Sequence, residues 1–474
     1  MTEIAGLPFW ELRYNADGKP EPAEEAALFN GVSADGITDL LIFAHGWQND
    51  QAAAFRLYSR FFGVLAGQFR NALTAAPTTP GDPPTRIGLA GVFWPALRWS
   101  DESVPEFAAP AAGAAGGAAS VGDRTGDRVV LSPEIDAETL NSLREVFPTA
   151  VAQLNRMAEL LAGPSTEAAK TEFYGQLKQF AVLVGTDDGD DGEDDRDRSD
   201  LAAGEPAMLM DGPDELFDRY ADALRQTGAE LGGADGDGAA GIGDVFSKAL
   251  HGAKEALRQA TYWQMKNRAG TVGRAGLGPM IGRLHQRAPQ VRVHLIGHSF
   301  GARLVSYALA GMPAGLNPSP VKAATLLEGA FSQWVFAPKL PFDRNRSGAL
   351  AAALSRIDGP LVAVHSRHDG AVGTFYPLAS MAARDDSAGI GDSASRWGGI
   401  GANGAQGAHA REDAVRPAGP PAGPGNRYPF AAQQVLNVDA SDVVRAGGPP
   451  SGAHSDIVHP ELTWIVLTAG RIIS

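Results

Sequence analysis

Residues 291–310 read VRVHLIGHSFGARLVSYALA, and no other stretch says as much about how this chain folds. The apolar run 291–296 predicts a buried strand, and the run 302–309 predicts a helix. Between them, GHSFG at 297–301 has the Gly-x-Ser-x-Gly form and the strand–turn–helix setting of a nucleophile elbow. The chain has 58 glycines, so the pentapeptide alone is weak support and the flanking elements give it its weight.

A sharp turn at this position explains the residue types. Gly297 and Gly301 carry no Cβ, so a strand and a helix can approach closely on either side of Ser299. The serine is then expected in a strained backbone conformation. Its hydroxyl stands clear of the backbone at the carboxyl end of a strand, where a base and a substrate both reach it.

Three further predicted strands lead into residues that suit hydrolytic chemistry. One is the run DLLIFAHGW at 39–47, whose apolar part ends in His-Gly-Trp. Another, LVAVH at 361–365, is followed within a few residues by Asp369. The last, VLNV at 435–438, precedes a Gly/Pro loop that carries His454. A hydroxyl, a carboxylate and an imidazole therefore follow one another along the chain, each close to the end of a predicted strand.

The order serine, acid, histidine, with a strand ending in His-Gly ahead of the elbow, resembles the α/β-hydrolase family. Within that family the nearest likeness is to lipase- or esterase-like serine hydrolases. The resemblance covers the segments around 1–105, 265–384 and 427–474. It implies an α/β fold with a mostly parallel central sheet flanked by helices, and a helical cap insertion. It also implies hydrolysis of carboxylic esters through an acyl-enzyme, with an ester or lipid-like small molecule as substrate.

Each role that the resemblance implies has a chemical reason. Ser299 is the implied nucleophile, and a hydroxyl needs an adjacent base because it is weakly nucleophilic at neutral pH. His454 is the implied base, since imidazole has an unperturbed pKa near the working pH. Asp369 orients the imidazole through its other ring nitrogen and stabilises the imidazolium. The backbone N–H groups of Phe300 and Trp47 are expected to bind the oxyanion.

Neighbouring residues are expected to support this site without reacting. His45 is expected to stabilise the oxyanion loop, and His298 to pack locally within the elbow. Asp50 is expected to cap a helix that begins near Gln51, which would hold the oxyanion loop still. The remaining supporting residues are Gly46, Gly297 and Gly301.

Some alternatives stay open. His459 lies at the start of a predicted C-terminal helix and is the alternative base, whereas Glu328 ends a predicted strand and is the alternative acid. The pair Asp369-Gly370 is also ordinary turn chemistry. The same machinery serves thioesterases, acyltransferases and amidases. A non-catalytic interaction protein with this fold is the alternative outside the enzymes.

The composition limits the classes of molecule that this protein is expected to bind. The formal net charge of −15 argues against nucleic acid, whose phosphates require a basic surface, and against anionic membranes. There are no cysteines, which excludes disulfides and thiol catalysis. The pattern shows no signal peptide, membrane span, Walker motif or zinc-spaced histidine cluster. The sequence therefore predicts a cytoplasmic protein with no cofactor, no metal and no stable membrane insertion.

Two insertions are expected within the 474 residues of the chain. Residues 106–264 form the predicted helical cap, with a disordered acidic loop near 187–200. Residues 385–426 form a predicted Gly/Ala/Pro-rich loop that borders the active-site mouth as a flexible wall. The stretch GIGANG at 399–404 matches the glycine spacing of a dinucleotide site, but without a strand before it and a helix after it no such site is predicted.

The three remaining segments are predicted to form the hydrolase core. Residues 1–105 carry the oxyanion loop, and 265–384 carry the nucleophile and acid strands. Residues 427–474 supply the last strand, the histidine loop and a C-terminal helix. In the cap, apolar residues recur every three or four positions at 140–161, 173–184 and 216–224, which predicts packed helices that contribute in part to a lid.

Overall fold

The computed structural model describes residues 2–47, 49–75, 84–97, 99, 130–184, 209, 211–231, 242–377, 396–408, 411–415 and 428–473. Within these ranges the strands are β1 (Thr2–Ile4), β2 (Leu7–Arg13), β3 (Asp39–Ala44), β4 (Ile87–Phe93), β5 (Val130–Leu131), β6 (Glu230–Leu231), β7 (Arg292–His298), β8 (Val321–Leu327), β9 (Leu361–His365), β10 (Arg411–Val415) and β11 (Val435–Asp439). The helices are α1 (Pro22–Ala34), α2 (Gln51–Ala75), α3 (Ala137–Val146), α4 (Val151–Ala162), α5 (Glu167–Val184), α6 (Pro213–Gln226), α7 (Ile242–Thr271), α8 (Gly278–Arg287), α9 (Phe300–Gly311), α10 (Ile400–Asn403) and α11 (Pro460–Ala469).

Most of the described strands belong to one sheet, in the order β1-β2-β4-β3-β7-β8-β9-β11-β10. β1 is antiparallel to β2, and the remaining pairings in this sheet are parallel. β5 and β6 form a separate parallel ribbon. The predicted α/β class, with a mostly parallel sheet flanked by helices, is therefore confirmed.

The composition of β3 shows why the sheet lies in the centre of the molecule. All its residues are buried. Leu40 and Ile42 join one apolar cluster, with residues of α1, α8 and α9, whereas Leu41 and Phe43 join a second cluster with residues of α2 and α11. Successive side chains of a strand point to opposite faces, so a continuous apolar run requires helices on both sides.

The amphipathic patterns predicted for the cap form helices with buried apolar faces. Leu154 and Met157 of α4, and Leu216 and Tyr220 of α6, are fully buried. The first pattern is broken: α3 ends, a 3-10 turn occupies Pro148–Ala150, and α4 follows. Proline has no N–H to donate and its ring clashes with the preceding turn, which explains the break.

The predicted segment boundaries need two corrections. α7 has 30 residues and runs through the boundary predicted at residue 264, so one helix joins the cap segment to the core segment. The 385–426 segment contains α10 and the edge strand β10, which pairs with β11, and so is not wholly a loop. Both elements are too short for periodicity to reveal them. The acidic loop predicted near 187–200 lies outside the described residues.

Candidate active site

The turn between β7 and α9 has the predicted strained serine. Ser299 has φ 55° and ψ −122°, in a region that side-chain-bearing residues seldom adopt. Its N–H donates to the carbonyl oxygen of Leu327 at 3.0 Å, and its own carbonyl accepts from the N–H of Ala302 at 3.0 Å. These bonds hold a conformation that costs about 1–3 kcal/mol in isolation. The hydroxyl is thereby raised at the carboxyl edge of the sheet.

The glycines of the turn are required by close backbone approach. A Cβ on Gly301 would lie 1.9 Å from the carbonyl oxygen of Ala44, and a Cβ on Gly297 would lie 2.4 Å from the carbonyl oxygen of Gly301. Neither distance is possible between real atoms without moving main chain. The expected tight junction of strand and helix is therefore present, and α9 packs directly against the end of β3.

His454 connects Ser299 with Asp369. Its Nε2 lies 2.8 Å from Ser299 Oγ, and its Nδ1 lies 2.7 Å from Asp369 Oδ2. A carboxylate only accepts, so Nδ1 carries the hydrogen and Nε2 is left to accept the serine proton. The structure thus brings together the predicted serine, histidine and acid with the tautomer that general-base chemistry at the serine requires.

The acid loop and the histidine loop are fastened to each other. Asp369 has a fully buried side chain, and its Oδ1 accepts from the N–H of Val372 at 2.9 Å. The N–H of Gly370 donates to Ser451 at 3.1 Å, and the N–H of Ala453 donates to His368 at 2.8 Å. Asp369-Gly370 is therefore part of a turn, but a turn whose carboxylate faces the imidazole.

The loop after β3 lies against the nucleophile. A Cβ on Gly46 would lie 2.5 Å from Ser299 Cβ and 3.1 Å from Ser299 Oγ, so only glycine fits there. Within the described part of the chain, neither the N–H of Trp47 nor that of Phe300 donates to an acceptor. Phe300 is also the first residue of α9, where the helix dipole favours negative charge.

Short contacts hold this loop in place. The amide of Asn49 donates to the carbonyl oxygens of Gly46 and Trp47 at 3.3 and 3.0 Å. Asp50 Oδ1 accepts from the N–H of Ala53 at 2.7 Å, which caps α2 as predicted. The sequence did not single out Asn49, because an amide two residues after a turn is unremarkable without the fold.

His45 is placed as a loop residue. Its Nδ1 lies 2.8 Å from the carbonyl oxygen of Gly46, and its ring stacks on Trp94 at a centroid distance of 5.6 Å. Trp94 in turn donates its indole N–H to the His45 carbonyl oxygen at 3.0 Å. Burial lowers the pKa of His45 to about 4, so the ring is neutral at neutral pH. It therefore rigidifies the loop and makes no hydrogen bond to Ser299.

Among the described residues, no group of three or more His, Cys, Asp or Glu side chains is arranged to hold a metal ion. Likewise, none of the described helices has both the length and the apolarity needed to cross a membrane. No family model, curated protein or solved structure matches this chain. Support for a function therefore comes from the arrangement of these residues alone.

The alternative acid, Glu328, lies beside Asp369. It follows β8, has φ 46° and is fully buried. No hydrogen bond of good geometry reaches either of its carboxyl oxygens. Burial, followed by the charge and proximity of Asp369, raises its pKa well above the usual value. Burial thus favours the protonated form of Glu328, and the carboxylate hydrogen-bonded to His454 belongs to Asp369.

α10 packs directly on these two acids. A Cβ on Gly401 would lie 2.7 Å from the carbonyl carbon of Glu328 and 2.9 Å from Asp369 Oδ2. The carbonyl oxygen of Gly401 accepts from the N–H of Ser366 at 2.9 Å. The described part of the predicted 385–426 loop therefore contains a helical turn, whose glycines at 399–404 allow it to pack closely against the acid. The prediction of a flexible wall stays a prediction.

The alternative base, His459, is directed elsewhere. Its Nε2 lies 2.8 Å from Asp456 Oδ1, and no hydrogen bond joins it to Ser299. Asp456 Oδ2 also accepts from the N–H groups of Arg445 and Ala446 at 2.9 and 2.8 Å. His459 therefore helps to brace the histidine loop from outside the site. His298 is also placed differently from the prediction, because it reaches beyond the elbow to the histidine loop.

A His459→Gln variant is expected to lose about 1 kcal/mol of unfolding free energy at pH 6 and much less at pH 9. Burial lowers the pKa of His459, but the hydrogen bond and charge of Asp456 outweigh burial and raise it above the usual value. The folded protein therefore binds this proton more tightly than the unfolded chain does. The contribution is complete below about pH 6.5 and fades as the pH rises through the folded-state pKa.

Urea titrations of the wild type and the variant at the two pH values measure this difference. Burial would raise the pKa of Asp456, but the hydrogen bond from His459 and its charge lower it overall. The contribution of Asp456 is therefore present at pH 6 and is lost only as the pH falls through its depressed pKa. Equal losses at pH 6 and pH 9 would contradict a charged pair.

Tyr262 of α7 covers the nucleophile turn and, with Trp47 and Tyr376, forms an aromatic wall. The ring centroid of Tyr262 lies 4.6 Å from that of Phe300, 5.5 Å from that of Trp47 and 6.1 Å from that of Tyr376. Ser299 is consequently only 4% exposed. Periodicity could not reveal Tyr262 as a site residue, because α7 is buried on nearly every side around it.

Proposed function

We propose that the protein is a serine hydrolase of the α/β-hydrolase type that cleaves carboxylic esters through an acyl-enzyme. The observation that carries this proposal is the imidazole of His454, hydrogen-bonded to Ser299 Oγ at 2.8 Å and to Asp369 Oδ2 at 2.7 Å. His454 is 155 positions from Ser299 and 85 positions from Asp369 in the chain. The three residues therefore meet only when the sheet is assembled.

The placement of the loops supports the same proposal. The serine follows β7, the acid follows β9, and the histidine loop follows β11, in the chain order of α/β-hydrolases. The unpartnered N–H groups lie after the nucleophile and in the loop after β3, as the oxyanion hole of that family requires. We assign the helices between β5 and α7 to the proposed cap.

Acylation uses these groups in a definite order. Ser299 Oγ attacks the ester carbonyl carbon while its proton passes to Nε2 of His454. Asp369 stays ionised and stabilises the imidazolium through the Nδ1 hydrogen. The N–H groups of Trp47 and Phe300 bind the oxyanion. His454 then gives the proton to the alkoxide leaving group, the C–O bond breaks, and the acyl group remains on Ser299.

Deacylation reverses the proton movements. A water molecule gives a proton to Nε2 of His454 as its oxygen attacks the acyl carbon. The same two N–H groups bind the second oxyanion. Collapse breaks the bond to Ser299 Oγ, which recovers the proton, and a carboxylic acid leaves. Trp47 is the half-buried member of the aromatic wall, and its indole offers apolar surface to an acyl chain.

A fluorophosphonate probe tests this function on the wild-type protein. The probe should form a phosphonyl ester with Ser299 and release fluoride, and peptide mass spectrometry should locate the adduct at that residue. Ser306→Ala is a matched control, because Ser306 is a buried serine of α9 whose hydroxyl donates to Ala302 at 2.7 Å. It should react like the wild type. Folded wild-type protein that stays unlabelled at Ser299 would contradict the proposal.

The substrate class is tested with a panel of substrates and a portion of the same protein preparation that has not been treated with the probe. p-Nitrophenyl esters of increasing chain length are expected to be hydrolysed, with longer apolar chains preferred because of the aromatic wall. Corresponding thioesters and anilides test the other reactions that this machinery supports. If only thioesters or only anilides were hydrolysed, Ser299 would remain the nucleophile, but the bond that the protein cleaves would not be a carboxylic ester.

A further inference from the structure

His298 spans the gap between the nucleophile turn and the histidine loop. Its Nε2 lies 2.8 Å from the carbonyl oxygen of His454, a residue 156 positions later in the chain. A carbonyl oxygen only accepts, so Nε2 of His298 carries the hydrogen and donates it. The two imidazole centroids lie 5.0 Å apart at an interplanar angle of 41°.

The donor of this bond is buried. His298 is 3% exposed, and burial, together with the adjacent His454, lowers its pKa to about 3. The ring therefore stays neutral and keeps the same hydrogen throughout the working pH range. Its Nδ1 is buried without a hydrogen-bond partner, so Nε2 makes the ring's one directed contact among the described residues.

The opposite side of the histidine loop is held by different groups. The N–H of Ala453 donates to His368 at 2.8 Å, which fixes the loop to the acid-bearing turn. The bond from His298 reaches the main chain two peptide units further along, at the His454 carbonyl, and fixes it to the nucleophile turn. The main chain that carries the imidazole is thus held from the side of Asp369 and from the side of Ser299.

We propose that His298 is a positioning residue, whose Nε2 hydrogen bond to the His454 carbonyl sets the distance between the catalytic imidazole and Ser299 Oγ. This inference rests on the serine hydrolase function proposed above. A buried hydrogen bond holds main chain firmly, and a displacement of about 1 Å at a reacting group can cost about 100-fold in rate.

Three substitutions distinguish the effect of the hydrogen-bond donor from the effect of the size of the ring. His298→Gln places an amide N–H near the position of Nε2, whereas the shorter side chain of His298→Asn ends near the position of Nδ1. His298→Met fills the space without a donor. We expect His298→Met and His298→Asn to lower the rate of fluorophosphonate labelling at Ser299 by about 10- to 100-fold. We expect His298→Gln to restore most of that rate.

Further readouts distinguish positioning from general destabilisation. Val293→Ala removes buried methyl groups from the opposite end of β7, and it should lower the melting temperature while labelling at the wild-type rate. With ester substrates, kcat should fall and KM should change little, because His298 is buried. Hydrogen exchange of the amides at 451–456 should be faster in His298→Met and His298→Asn than in Val293→Ala.

Each outcome bears on one proposal or the other. Labelling of His298→Met and His298→Asn within twofold of the wild type would overturn the role of His298 and leave the hydrolase intact. If His298→Gln also labelled slowly, loss of the Nε2 hydrogen-bond donor would not explain the slow labelling of the other two variants. If wild-type protein does not label, the hydrolase proposal fails. Unchanged hydrogen exchange of the amides at 451–456 in the variants would overturn the positioning role of His298 independently of labelling.

Discussion

Replacing Ser299 by alanine is expected to lower kcat for ester hydrolysis by about a million-fold, and replacing His454 by alanine should cost about the same. The hydroxyl and the imidazole act as one unit, since the nucleophile is useful only when its proton has an acceptor at 2.8 Å. A double variant should therefore be no slower than either single variant. Initial rates with a p-nitrophenyl ester measure this, with circular dichroism to confirm the fold.

A histidine close by in sequence provides the control. His368 is exposed in the acid loop, and the hydrogen bond that joins it to the histidine loop comes from its backbone carbonyl. His368→Ala should therefore retain nearly full activity. Losses that multiply in the double variant would show that Ser299 and His454 act independently, which a triad does not allow. A residual rate above that of uncatalysed hydrolysis is expected from the oxyanion donors at Trp47 and Phe300.

Replacing Asp369 by asparagine should lower kcat by about 10,000-fold with little change in fold. An amide nitrogen in place of Oδ2 would donate to Nδ1 of His454 and so force the hydrogen onto Nε2. The imidazole could then no longer accept the proton of Ser299. The same ester assay measures the loss, and a melting curve checks that the buried amide is tolerated.

Glu328 supplies the matched comparison for this acid. It is buried next to Asp369 and its raised pKa favours the protonated form, which the amide of Glu328→Gln matches closely in size and charge. The loss of kcat should be less than about tenfold. A greater loss in Glu328→Gln than in Asp369→Asn would reverse the assignment of the orienting carboxylate.

The sequence predicted the elements that local pattern encodes. β7 was visible as an apolar run, and the turn at Ser299 was visible because Gly297 and Gly301 stand where a Cβ would collide with main chain. The mostly parallel sheet was implied by the family resemblance that these motifs carry. Asp369 and His454 could be named because each lies in a loop shortly after a predicted strand.

Other features depend on contacts that no periodicity records. His298 faces the loop of His454 across a tertiary gap, and the pKa of Glu328 is raised by its burial in the fold and by Asp369 beside it. Tyr262 belongs to a helix buried on almost all sides, so its ring over Phe300 leaves no amphipathic signal. α10 has four residues, too few for a helical pattern to repeat.

The proposed reacting groups come from loops that follow β3, β7, β9 and β11. The remaining central strand, β8, lies between β7 and β9 and pairs with both, so it sets their spacing. No contiguous piece of the chain contains a working subset. A molecule in which any one of these central strands is detached from the sheet lacks part of the proposed active site. Ester hydrolysis should therefore report complete folding in an all-or-none way.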